Sequence, residues 1–193
     1  LVKELREKTG AGILDCKEAL NATGGNMEEA IAYLRKKGLA DAKKRAGRVA
    51  SEGLIGSYVH LNGKIGVLVE VNSETDFVAR TDEFQELVKN IAMQVAAANP
   101  RYLRAEDIPP DEAEREREIF RAQARETGKP EKVIEKIAEG KFKKFLTEIC
   151  LLDQPYIREP DTTVQELIDS VIAKLGEKIE VRRFVRFQLG EAS

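Results

Sequence analysis

The chain has 193 residues, with 32 Lys and Arg against 34 Asp and Glu, one His and two Cys. Its net charge of −2 lacks the basic excess of a general nucleic-acid binder, and the longest apolar runs fall far short of a membrane span. The length suffices for a small domain followed by a larger one, and an opening Leu1 in place of Met leads to the expectation that a few residues precede it.

Residues 1–38 read as three short helices. The second carries Ile13, Cys16, Ala19 and Leu20 on one face. The third follows Gly24, Gly25 and Asn26, carries Met27, Ala30, Ile31 and Leu34, and is expected to close at Gly38. This pattern resembles a ubiquitin-associated-type three-helix bundle, and Leu14 lies off its apolar stripe. Residues 39–52 are Ala-rich and basic, with Lys43, Lys44, Arg45 and Arg48, and read as a helical linker with a solvated face. An RNA-binding strip here would lack the interleaved aromatics on which bases stack, so no direct nucleic-acid contact is expected. Cys16 and Cys150 fall on apolar helical faces without metal-ligand spacing, as free thiols do in a reducing compartment; no signal-peptide pattern opens the chain, and a cytoplasmic location is expected.

From Gly53 the period changes from helix to strand. Leu54–Leu61 and Ile65–Asn72 flank Asn62-Gly63, a two-residue hairpin signal. A third strand is predicted over Ile179–Leu189, where Arg183 and Phe184 break the alternation. Four to five helices lie between strands two and three. One opens at Thr81, carries Phe84, Leu87, Val88, Ile91, Ala92 and Val95, and stops at Asn99-Pro100. Another begins at Thr162-Thr163, with Gln165 and Glu166 available for a capping box, and ends at Gly176. The fold class is therefore α+β: the three-helix bundle, the helical linker, then a small antiparallel three-stranded sheet packed with helices, with domains at 1–38, 39–52 and 53–193.

That sheet is apolar on both sides. Ile55, Val59 and Leu61 share one face of the first strand, Leu54 and Tyr58 the other, and Leu68 lies opposite the valines of the second. One helical layer covers one face, so a second copy of the chain is expected to cover the other as a symmetric homodimer. The rival cover is the charge-rich segment 101–140. No cysteine lies in the third strand, so no interchain disulfide is expected there.

Between strand two and the Thr81 helix stands Thr75-Asp76-Phe77-Val78, an acid beside a large aromatic at an element junction. Spacing alone leaves two readings open: Phe77, seven residues before Phe84, packs in the core, or it faces outward as a contact.

The run Glu70–Arg80 (EVNSETDFVAR) closely resembles a signature of the translation elongation factor Ts family. Leu1–Leu20 is similar to the amino-terminal signature of that family, and Gly128–Gly140 and Leu151–Pro155 to its later blocks, in family order. The resemblance implies a guanine nucleotide exchange factor for the GTPase elongation factor Tu, with no covalent chemistry and no cofactor. It implies that Thr75, Asp76, Phe77 and Val78 enter the GTPase near its Mg²⁺ and phosphate site. Ile13 and Leu14, aliphatic where many members carry methionines, would hold another GTPase helix. The alternative is a ubiquitin-associated-like peptide-binding or RNA-binding module. No catalytic constellation competes: His60 is alone, and Gly10-Ala11-Gly12 lacks the strand and the Gly-Lys of a phosphate loop.

Overall fold

A computed structural model describes residues 1–191; the last two positions of the expected 53–193 domain lie outside the described residues. Three helices open the chain: α1 (Val2–Thr9), α2 (Ile13–Ala22) and α3 (Met27–Arg45). They enclose Leu5, Cys16, Ala19, Leu20 and Ala30. Asn26 caps α3 by accepting the backbone N–H groups of Glu28 and Glu29, which satisfies donors that have no partner in the first helical turn.

Helix α3 does not stop at Gly38. It runs on to Arg45, and Gly38 is buried where α3 crosses α8 (Val164–Leu175). A Cβ on Gly38 would stand 3.3 Å from the Ala173 Cβ, so the missing side chain permits a close helix crossing rather than ending the helix. The second half of α3 thus joins the larger core through Ala42.

The sheet is antiparallel in the order β1 (Glu52–His60), β2 (Ile65–Ser73), β5 (Ile179–Gln188). Pairing of β1 with β2 closes at His60 opposite Ile65, so the turn spans four residues instead of two. Leu61, Asn62 and Gly63 all take positive φ, and the Lys64 N–H closes the turn on the His60 carbonyl at 3.1 Å. Between β2 and β5 the register jumps: Glu70 faces Arg183, but Val71 faces Val181. Arg182 is the extra residue of a bulge, and it inverts the side-chain alternation beyond it. Ile179 and Val181 point into the core, whereas further along Phe184 and Arg186 take that side. Val185 and Phe187 are left exposed on the other. The break in alternation at Arg183-Phe184 has this cause.

One face of the sheet is covered by α5 (Asp82–Ala98) and α8, which bring Phe84, Leu87, Ile91, Val95, Ile168 and Ile172 onto Val67, Val69 and Val71. Between them α6 (Pro110–Arg125) and α7 (Glu131–Ile149) form a helical hairpin closed by Ala124, Ile134, Ala138 and Phe142. These two helices pack chiefly on each other rather than over the open sheet face. A short ribbon, β3 (Pro155–Tyr156) with β4 (Glu159–Thr163), precedes α8 and has no signal in the sequence periodicity. The α+β architecture agrees with the expectation.

Candidate functional site

The β2–α5 junction contains a separate four-residue helix, α4 (Asp76–Ala79). Thr75 is its N-cap, and its hydroxyl accepts the Val78 N–H at 3.4 Å. Val78 and Ala79 are buried in the main core. Successive helical residues are about 100° apart, so seating those two forces the preceding pair outward. Phe77 is 78 % exposed, a large apolar group that the rest of the chain leaves uncovered. The Asp76 Oδ2 accepts from Arg80 Nη2 at 2.7 Å.

Two carboxylates lock this junction to the α8–β5 loop. Glu177 accepts the Thr75 N–H at 3.0 Å and the Thr75 hydroxyl at 2.7 Å. Glu74 accepts the Lys178 N–H at 2.6 Å and the Arg48 guanidinium at 3.3 Å. The Lys178 N–H, more than Arg48, holds the Glu74 carboxyl below the usual glutamate range against a smaller opposing effect of burial.

Of the residues singled out in the sequence, Asp76 and Phe77 face outward together. Val78 is 9 % exposed and seats the turn rather than presenting a surface. Thr75 is engaged with Glu177 and its own helix. Ile13 and Leu14 lie on another element, at the start of α2, which packs on α1 and α3, whereas α4 packs on β1, β2 and α5. They are 50 % and 79 % exposed, so Ile13 leaves the bundle face on which its spacing places it. Next to them, Lys37 reaches Asp15 at 2.9 Å and also Glu18, whose hydrogen bonds raise the Lys37 pKa. Sequence reasoning missed Glu177, since nothing local links it to a residue 102 positions away.

Basic residues in and before the 39–52 stretch are engaged inside the chain. Arg35 pairs with Glu166 at 2.6 Å, Arg45 donates to the Gly176 carbonyl at 3.1 Å, and Arg48 pairs with Glu74. His60 stacks on Tyr58 and shares its Nδ1 with the Tyr58 hydroxyl at 2.8 Å. Both thiols are free and buried; burial pushes the Cys150 pKa up to about 11, which leaves it a weak nucleophile. A shallow cleft of about 340 Å³ runs between α3, α8 and β5, and neither Asp76 nor Phe77 lines it. Among the described residues no group of three or more His, Cys, Asp or Glu could hold a metal ion, and no helix is long and apolar enough to cross a membrane.

The junction thus presents an uncovered aromatic beside a carboxylate, on a turn held from behind by Glu177, an arrangement suited to contact with another surface. Comparison with known proteins gives the family. The sequence profile described as Elongation factor TS matches residues 41–191. Elongation factor Ts from Geobacter metallireducens is 63 % identical over 98 % of this chain and 88 % of its own length. The same-named proteins of Moorella thermoacetica and Heliobacterium modesticaldum are 62 % and 59 % identical; the matches cover 98 % and 99 % of this chain, and 94 % and 89 % of theirs. The chain belongs to the elongation factor Ts family, a family of protein biosynthesis.

Proposed function

We propose that this protein is a guanine nucleotide exchange factor for elongation factor Tu, acting by contact and without covalent chemistry. The observation that carries the reading is the exposed Phe77 on its locked turn. Phe77 wedges between helices of the GTPase domain, while Asp76 exchanges its Arg80 partner for the groups that hold Mg²⁺. Thr75 and Val78 hold that pair in place, and Ile13 and Leu14 grip a second GTPase helix. In this division residues 1–38 bind the GTPase, 39–52 connect, and 53–193 form the exchange and dimerisation core. The protein works in the cytoplasm as a homodimer joined through the open sheet face.

Exchange is reciprocal coupling: a factor that weakens nucleotide binding is itself weakened by nucleotide to the same extent, so the ternary complex is transient. Burying one Phe is worth roughly 1.5–3 kcal/mol. At about 1.4 kcal/mol per tenfold in rate, Phe77 supplies one to two orders of magnitude, and loss of phosphate and Mg²⁺ bonds supplies the rest. The test is release of a fluorescent GDP analogue from elongation factor Tu with substoichiometric factor. Acceleration with turnover is expected, and Phe77→Ala is expected to cut it roughly ten- to hundredfold with an unchanged melting temperature. A folded Phe77→Ala protein with normal exchange would remove the wedge.

A further inference from the structure

Helix α8 ends at Gly176 in the left-handed region, φ +75°, and this reversal turns the next residue, Glu177, onto the β2–α4 junction. Both Glu177 oxygens are used on one residue: Oε2 accepts the Thr75 N–H and Oε1 the Thr75 hydroxyl. Thr75 is the residue from which α4 starts, and its carbonyl is further held by the Ser73 hydroxyl at 2.9 Å. Glu74, one position earlier, ties the same two loops in the opposite sense, through the Lys178 N–H and Arg48. The two ties differ in what they grip. Of the two carboxylates, Glu177 is the one that grips Thr75, where α4 begins.

A single helical turn cannot sustain itself, because its few internal bonds do not offset the cost of nucleation. Helix α4 has four residues, and Phe77 contributes little to holding it, being largely uncovered. Its orientation therefore depends on Val78 and Ala79 below and on Thr75 at its head. Bonds to an ionised carboxylate are stronger than neutral ones and fix direction when both oxygens engage one residue. From this geometry we infer that Glu177 is a positioning residue of the exchange site: through Thr75 it holds Asp76 and Phe77 in the orientation that meets the GTPase. The inference rests on the exchange reading above.

A positioning residue changes how much of the protein is ready to bind, not what the bound state does. Apparent affinity falls in proportion to the competent fraction, while the rate at saturation is kept. In the GDP-analogue assay with elongation factor Tu, Glu177→Ala is expected to raise the factor concentration for half-maximal acceleration roughly tenfold and to leave the maximal rate within about twofold. Glu177→Gln, which can accept the Thr75 N–H and donate to its hydroxyl, is expected to recover most of that loss. Glu74→Ala, which loosens the same loops without touching Thr75, is expected to shift the half-maximal concentration by less than about twofold. Should Glu177→Ala not fold, Thr75→Val removes the hydroxyl end of the same link and is expected to give part of the same shift. A wild-type protein with no effect on release overturns the exchange reading and this role with it. An active wild type overturns the positioning role alone under any of three results: Glu177→Ala matches wild type, it lowers only the maximal rate, or it shifts no further than Glu74→Ala.

Discussion

Asp76 and Phe77 face outward because helix α4 is too short to share the phase of α5. In one continuous helix, residues seven apart lie on the same face, and Phe77 would point with the buried Phe84. The chain leaves helical geometry at Thr81, which caps α5 afresh by accepting the Phe84 N–H. That break resets the phase, and it is why the spacing of the two aromatics could not decide between core and contact. The short bond from Arg80 to Asp76 invites a stabilising role, but the side chains are 74 % and 47 % exposed. Exposed pairs of this kind contribute about 0–1 kcal/mol. Arg80→Ala is therefore expected to change unfolding free energy in urea by less than about 1 kcal/mol and to leave GDP release at least as fast, since in the proposed exchange Asp76 leaves Arg80. A large loss of stability would show that the pair, rather than Thr75 and Val78, holds the turn together.

At the scale of elements, caps and apolar stripes were legible because their causes lie within a few residues. Helix α8 begins where Thr163 and Glu166 predict: the Thr163 hydroxyl accepts the Glu166 N–H at 3.2 Å, and Glu166 accepts the Thr163 N–H at 2.9 Å. The same carboxylate also receives Arg35 of α3, a tie between elements that local sequence does not signal. The role of Gly38 escapes local reading for the same reason: its cause is Ala173, on a helix far along the chain. The Thr163 N–H and then Arg35 hold the Glu166 carboxyl below the ordinary glutamate value of about 4.3. A pKa depressed by folding adds stability above the unfolded value, and that stability is lost as pH falls through the folded one. Glu74 is depressed likewise. The stability these two carboxylates contribute is thus expected to hold from pH 7 to about 5 and to be lost below about 4.3. Glu166→Ala is expected to lose about 1 kcal/mol at pH 7, by urea unfolding, and to show a shallower acid decline. An equally steep decline in the variant would place the acid sensitivity elsewhere.

At the scale of the whole molecule, the sequence implied an apolar face without a cover, while the bulge at Arg182 decided which side chains form it. Across the sheet, Val59, Gly66 and Phe187 make one row, and Ser57, Leu68 and Val185 the next. Phe187 is 70 % exposed, and Ile55, Val59 and Leu68 are exposed beside it. The α6–α7 hairpin, the rival cover within the chain, packs on itself instead. A contiguous apolar patch on both edges and the middle of a sheet is costly to leave in water and invites a partner of the same shape. The proposed second copy would satisfy this with a closed twofold contact, in which the same patch is buried on both protomers. Burying each large apolar group contributes roughly 1.5–3 kcal/mol before the cost of association. Phe187→Glu puts a charge into this apolar face and is expected to give a monomer at micromolar concentrations where the wild type is expected to sediment as a dimer. Its melting temperature should also lose the concentration dependence that a dimer imposes. A wild type that stays monomeric at all concentrations would leave the open face to another partner, and the elongation factor Tu complex would then be the place to look for its cover.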